Sequence, residues 1–137
     1  MIEIRIFEPG YDKKDFYEIM GDPLTMPGIK KELPYLSNTP ESIWFLAMSD
    51  STLLGFGAIH PGKSSINLRN LYVYPEYRGK GIGKKLVEEW LNYAKKYPLP
   101  ITTVVSVQGM KTVYKICQKM GFVETKRTKN YVFLRRE

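Results

Sequence analysis

The chain has one cysteine, Cys117, so no disulfide can form within it. That suits a reducing cytosol and sets the expectation of a cytoplasmic protein. It lacks any apolar run near the roughly 20 residues of a membrane-spanning helix, so no membrane partner is expected. The first residues, Met-Ile-Glu-Ile-Arg-Ile-Phe-Glu, alternate like a strand and lack the shape of a signal peptide. No repeat, low-complexity tract or linker is visible. One domain over 1–137, with one sizeable core, is therefore expected. Acidic residues are in deficit: 14 Asp and Glu face 21 Lys and Arg, a net charge of +7. Such an excess favours anionic partners, either nucleic acid or a small molecule carrying several phosphates. The chain lacks the basic–aromatic interleaving of an RNA-binding surface, so nucleic acid ranks last.

What is present concentrates in residues 71–86, Leu-Tyr-Val-Tyr-Pro-Glu-Tyr-Arg-Gly-Lys-Gly-Ile-Gly-Lys-Lys-Leu. A β-branched and aromatic run stops at Pro75. A turn follows with glycines at alternate positions, Gly79, Gly81 and Gly83, and a helix with an apolar face begins. Glycine removes the Cβ that would hold a ligand off the backbone. A helix N-terminus offers unpaired N–H groups and the positive end of a dipole. Together they suit a phosphate. Arg78, Lys80, Lys84 and Lys85 add positive charge with no acid between them. Two familiar phosphate loops are excluded. A P-loop needs glycine five positions before Gly83, where Arg78 stands, and Ser or Thr where Lys85 stands. A dinucleotide fingerprint starting at Gly81 and Gly83 needs its third glycine where Leu86 stands.

The rest of the chain reads as an alternation of elements. Ile2 to Phe7 is a strand and Asp12 to Met20 a short helix. Gly21 to Thr39, with Pro23, Pro27, Gly28 and Pro34, reads as loop with one short helix around Ile29 to Leu33. Trp44 to Met48, Leu53 to Ile59 and Ile66 to Tyr74 form a meander. A helix runs from about Gly81 to Lys96, with Ile82, Leu86, Val87, Trp90, Leu91 and Ala94 on one face. Ile101 to Val107 is so rich in β-branched residues that burial on both faces is expected. Met110 to Met120 is a second helix, capped by Gly121. Phe122 to Thr125 and Tyr131 to Arg135 close as a hairpin. The order βα(α)βββαβαββ places the chain in the α/β class with a mixed, mostly antiparallel sheet and flanking helices.

The remaining pattern, Arg78-x-x-Gly81-x-Gly83 after a strand ending Leu-Tyr-Val-x-Pro-x-Tyr, resembles the acyl-CoA loop of the GNAT superfamily of N-acyltransferases. The element order is also the one that family implies, so the resemblance covers nearly the whole chain. It implies an N-acetyltransferase that takes acetyl-CoA as acyl donor and a primary amine as acceptor, with no metal. It implies that the pyrophosphate rests on backbone N–H groups of Arg78, Gly79, Lys80, Gly81, Ile82, Gly83 and Lys84. The pantetheine arm would bond the strand at Leu71, Tyr72 and Val73, and one N–H there would polarise the thioester carbonyl.

An ammonium acceptor must lose a proton before it attacks, and the leaving thiolate can gain one. The family's usual base, a Glu on the strand before the loop, corresponds to Asn67, which cannot take up a proton. Glu76 reads as a solvated loop carboxylate. The family's Asn–x6–Tyr–x3–Gly-Phe pattern, anchored at Gly121-Phe122, puts Met110 where Asn is expected and Cys117 where Tyr is expected. Cys117 reads as a small core residue, as the acid, or, at the far end, as a covalent nucleophile served by His60, the only histidine. His60, beside the Pro61-Gly62 turn, reads more simply as an exposed or capping residue. Tyr114, one turn before Cys117, divides between core and active site. Cys117 and Tyr114 are thus the two catalytic candidates. These departures keep a second class open, an acyl-CoA-binding or sensing module with little turnover. The acceptor, a small molecule or a protein, is not named by the sequence, nor is oligomeric state; a homodimer is compatible with it.

Overall fold

The computed structural model describes residues 2–33, 36–107 and 113–137. β1 (Glu3–Phe7) leads to α1 (Lys13–Thr25) and α2 (Pro27–Glu32), then to β2 (Ile43–Ser49), β3 (Thr52–Pro61) and β4 (Ile66–Val73). A 3-10 turn at Pro75–Tyr77 precedes α3 (Ile82–Ala94). β5 (Ile101–Ser106), α4 (Lys115–Lys119), β6 (Val123–Arg127) and β7 (Tyr131–Arg136) follow. The strands form one sheet in the order β1-β2-β3-β4-β5-β7-β6. Every neighbouring pair is antiparallel except β4 with β5. This is the mixed α/β sheet that the element order predicts.

Three elements differ from the sequence reading. The first helix does not stop at Met20. Asp12 caps its start, accepting from the Lys14 and Asp15 N–H groups at 2.9 and 3.4 Å, and the helix runs through Gly21 and Pro23 to Thr25. Pro23 removes a backbone donor, but Phe16, Met20 and Pro23 are buried on one side and packing outweighs the loss. The Thr25 hydroxyl bonds back to the Gly21 and Asp22 carbonyls, each at 3.1 Å. Second, β5 is not buried on both faces: Ile101, Thr103 and Val105 point inward while Val104 is 50% exposed. Its β-branched content reflects fit to a pleated sheet rather than double burial. Third, the last helix is short, Lys115–Lys119, and a π-type turn at Val113 and Tyr114 precedes it. The positions 110–112, Met110 included, lie outside the described residues.

The sheet separates two cores. On one face Phe45, Ile59, Leu68, Leu86, Trp90 and Leu134 pack around α3. On the other, Phe16, Met20 and Ile29 of α1 and α2 pack on Trp44, Leu46 and Phe56. α3 lies very close to β3. A Cβ added at Gly57 would stand 2.0 Å from Cζ2 of Trp90.

Two irregularities in β4 open the sheet beside it. Ala58 pairs with Arg69 and Phe56 with Tyr72, so Asn70 and Leu71 together oppose Gly57 as a bulge, with Asn70 at φ 60°. The bulge reverses the facing of the strand: Ile66 and Leu68 point to the α3 core, and past it Leu71 and Val73 do. β4 and β5 also pair only from Ile66–Ile101 to Leu68–Thr103. Beyond that point β5 continues against β7 alone, and the sheet parts.

Candidate functional site

A cleft of about 460 Å³ opens where β4 and β5 separate. Its floor is Leu71, Tyr72 and Val73 of β4, and its far wall is Val113 and Ile116. Its upper rim is the loop from Tyr77 into α3, and Glu32 at the end of α2 closes one side. In an antiparallel pair alternate residues turn their backbone groups to the partner. The Tyr74 N–H donates to the Leu54 carbonyl at 3.1 Å, so Tyr74 and Tyr72 address β3. Leu71 and Val73 turn their backbone N–H and C=O groups to the gap, where the Val73 carbonyl already accepts from the Arg78 side chain.

The loop is built for close approach. Gly79 and Gly81 sit at φ +79° and +82°, the left-handed region that disfavours any side chain. Neither has any atom within 4 Å of where a Cβ would stand, so space lies directly over the backbone. Gly81 is the N-cap of α3 and supplies no capping side chain. The first intrahelical bond is Lys85 N–H to the Gly81 carbonyl at 3.0 Å. The N–H groups of Ile82, Gly83 and Lys84 therefore have no acceptor within the helix. Gly83 has another reason to lack a side chain: its Cβ would stand 3.3 Å from Cδ1 of Ile116. Lys80, alone in the loop from Tyr77 to Lys84, does not line the cleft, and its ammonium lies 5.8 Å from the Tyr77 ring. Aligned donors, a dipole end and surrounding lysines fit a pyrophosphate. An open strand edge beside them fits an amide-bearing arm.

Arg78 does more than add charge. Its Nε donates to the Val73 carbonyl at 2.7 Å, and one terminal nitrogen reaches both Glu32 carboxylate oxygens, at 3.0 and 3.3 Å. Its guanidinium stacks 5.3 Å above the Tyr72 ring. Burial is the main reason the Tyr72 phenol titrates above its ordinary range. The sequence reading missed Glu32, which is the one carboxylate among the described residues that line the cleft. No local pattern announces it, because its partner lies 46 residues away. The pair is half exposed, so its direct contribution to stability is about 1 kcal/mol or less.

The two residues singled out for acid catalysis stand elsewhere. Cys117 is 1% exposed in the α3 core, and burial pushes its thiol up to about 12. Proton transfer from it to an ordinary thiolate is uphill by roughly 4 kcal/mol. Tyr114 turns toward β6: its hydroxyl donates to Glu124 at 3.0 Å and accepts from Gln118 at 3.1 Å. Arg127 holds the Glu124 carboxyl below its usual range from the other side. Neither Cys117 nor Tyr114 lines the cleft. Asn67 is half-buried and its Oδ1 accepts from the Thr102 hydroxyl. Glu76 is exposed in the 3-10 turn.

Comparison with known proteins adds the family. The model described as the acetyltransferase (GNAT) family matches residues 13–122. An uncharacterized N-acetyltransferase of Schizosaccharomyces pombe is 26% identical over 118 residues, covering 82% of this chain and 72% of that protein. The fold superposes on an acyl-CoA N-acyltransferase from Pseudomonas aeruginosa with a TM-score of 0.78, at 16% identity over 100% of both chains. It superposes on the PaiA N-acetyltransferase of Thermoplasma acidophilum, solved in complex with coenzyme A, with a TM-score of 0.70. That match has 20% identity over 100% of this chain and 99% of the other.

Proposed function

Because the chain belongs to the GNAT acetyltransferase family, we propose that it moves an acetyl group from acetyl-CoA to a primary amine. The amine attacks the thioester directly. The observation that carries this reading is the meeting, in one cleft, of an open strand edge at Leu71–Val73 with an uncapped helix N-terminus at Gly81. The strand edge suits the pantetheine arm and a thioester carbonyl. The loop from Arg78 to Lys84 suits the pyrophosphate.

The buried Cys117 and the Glu124-bound Tyr114 support a reaction without an acid from α4. The thiolate leaves unprotonated, and holding the amine against a polarised carbonyl supplies most of the rate. The test is release of CoA from acetyl-CoA. The acceptors are tyramine, spermidine, free lysine, a peptide with a free N-terminus and a peptide with an internal lysine, from pH 6 to 9. Turnover with at least one of them is expected, and none at all would contradict the proposal.

A second reading, an acyl-CoA-binding module, is favoured by one observation. Among the described residues lining the cleft, Glu32 is the one carboxylate, and it is already engaged by Arg78. Tight acetyl-CoA binding without turnover across the panel would select it.

A further inference from the structure

The acyl-transfer reading, on which this inference rests, leaves the ammonium proton without a taker at Asn67. Ile66 and Leu68 are buried against α3, so Asn67 points to the opposite face of the sheet, the face of α1 and α2. On that face its cross-strand partner on β3 is His60, and its partner on β5 is Thr102. Side chains opposed in this way have Cβ atoms about 5 Å apart. The row lies one pair before the apex of the gap, outside the residues that line the donor cleft: the last pair joining β4 to β5 is Leu68–Thr103, one residue further on. The Thr103 hydroxyl closes that apex by donating to the Leu68 carbonyl at 3.0 Å.

Hydrogen bonds orient the row. The Thr102 hydroxyl occupies Oδ1 of Asn67, which leaves the Asn67 amide as a donor. Nδ1 of His60 lies 3.4 Å from the Thr39 hydroxyl, which lies 2.8 Å from the Ser42 hydroxyl. With Thr39 donating to Ser42, Nδ1 carries the proton and Nε2 is bare. We infer that His60 is the proton acceptor of the reaction, reached through a water held by the Asn67 amide. The water oxygen accepts from Asn67 and from the ammonium, and a water hydrogen is donated to Nε2. One ammonium proton passes to His60. The freed amine attacks, the C–N bond forms and the C–S bond breaks. CoA leaves as the thiolate, the second nitrogen proton is lost to solvent from the tetrahedral adduct, and His60 returns its own proton to solvent. The charged groups next to this row in register are Arg69, one rung along β4, and Arg135, which pairs with Thr102 across β5 and is itself bonded to Glu137 at 2.9 Å; further along the same face Arg78 and Glu32 lie over Tyr72, and Arg5 over Phe7. On the β2 side Thr39 and Ser42 do not titrate, and Glu41 is exposed.

The experiment measures kcat against pH with saturating acetyl-CoA, using whichever panel amine turns over, for wild type and His60→Gln. Wild type is expected to lose activity toward acid pH with a one-proton slope. His60→Gln should lose that limb and about 100-fold in kcat, while its acetyl-CoA affinity stays within about twofold because the donor site is elsewhere. Adding Asn67→Asp to His60→Gln should place a carboxylate beside Thr102 and recover at least about tenfold. A His60→Gln enzyme that keeps kcat within about threefold and retains the acid limb overturns the inference while leaving acyl transfer standing. Absence of wild-type turnover, with acetyl-CoA still bound, overturns both.

Discussion

At the scale of single residues, the sharpest contrast lies between Cys117 and Gly81. Cys117 occupies the position where the family pattern expects a phenol, yet it is sealed in the core. It should resist a thiol reagent in the native protein at pH 8 and react fully in denaturant. Rapid native labelling would contradict its placement. Burial raises its folded value above the ordinary 9.0, to about 12. A group protonated more firmly when folded contributes stability that is fully present below the unfolded value and lost as pH climbs toward the folded one. Wild type should therefore lose stability between about pH 9 and 12 more steeply than Cys117→Ala. That variant should cost about 1–2 kcal/mol in denaturant unfolding and leave kcat within about threefold. Gly81 is the opposite case. Its Cβ would meet no protein atom, but φ is +82° and the space above is where the donor would lie. Gly81→Ala is expected to cost about 1 kcal/mol of stability and to weaken acetyl-CoA binding at least about tenfold by calorimetry.

At the scale of elements, β4 governs the site. Its bulge at Asn70 turns Leu71 and Val73 toward the gap, and its early parting from β5 creates that gap. α3 lies against Gly57, the residue opposite the bulge. Gly57→Ala would drive a methyl group into Trp90. It should lower stability by about 3 kcal/mol and Tm by about 10 °C in a thermal melt. An unchanged Tm would show that α3 is not seated as described. Much of this level was legible in the sequence. The meander, the Pro75 stop, the glycine spacing and the apolar stripe of α3 are local patterns, and local patterns are what a sequence displays. Other features were not legible. Pro23 within α1 misled because tertiary packing outweighed a local penalty. The one-sided burial of β5 depends on which face the helices cover. Glu32 meets Arg78, and His60 meets Asn67, only through the topology. The row His60–Asn67–Thr102 exists because three strands align there, and no spacing in the chain encodes it.

At the scale of the whole molecule, the net charge of +7 and the uncapped N-terminus of α3 would act together on the proposed anionic donor. The Arg78–Glu32 pair lets the site hold a guanidinium in place before any phosphate arrives. Acetyl-CoA affinity should therefore fall with salt, by about tenfold between 50 and 500 mM, as screening shortens the reach of the lysines. Salt-independent binding would mean that the loop N–H groups alone hold the donor. On the inference above, the acceptor side carries a different chemistry, that of the row Asn67, His60 and Thr102. The most direct measurement is a two-dimensional 1H–15N spectrum titrated with acetyl-CoA. The largest shifts are expected at the amides of residues 71–73 and 79–84, saturating together. Shifts confined to other surfaces, or none at these amides at saturating acetyl-CoA, would contradict the proposed donor site.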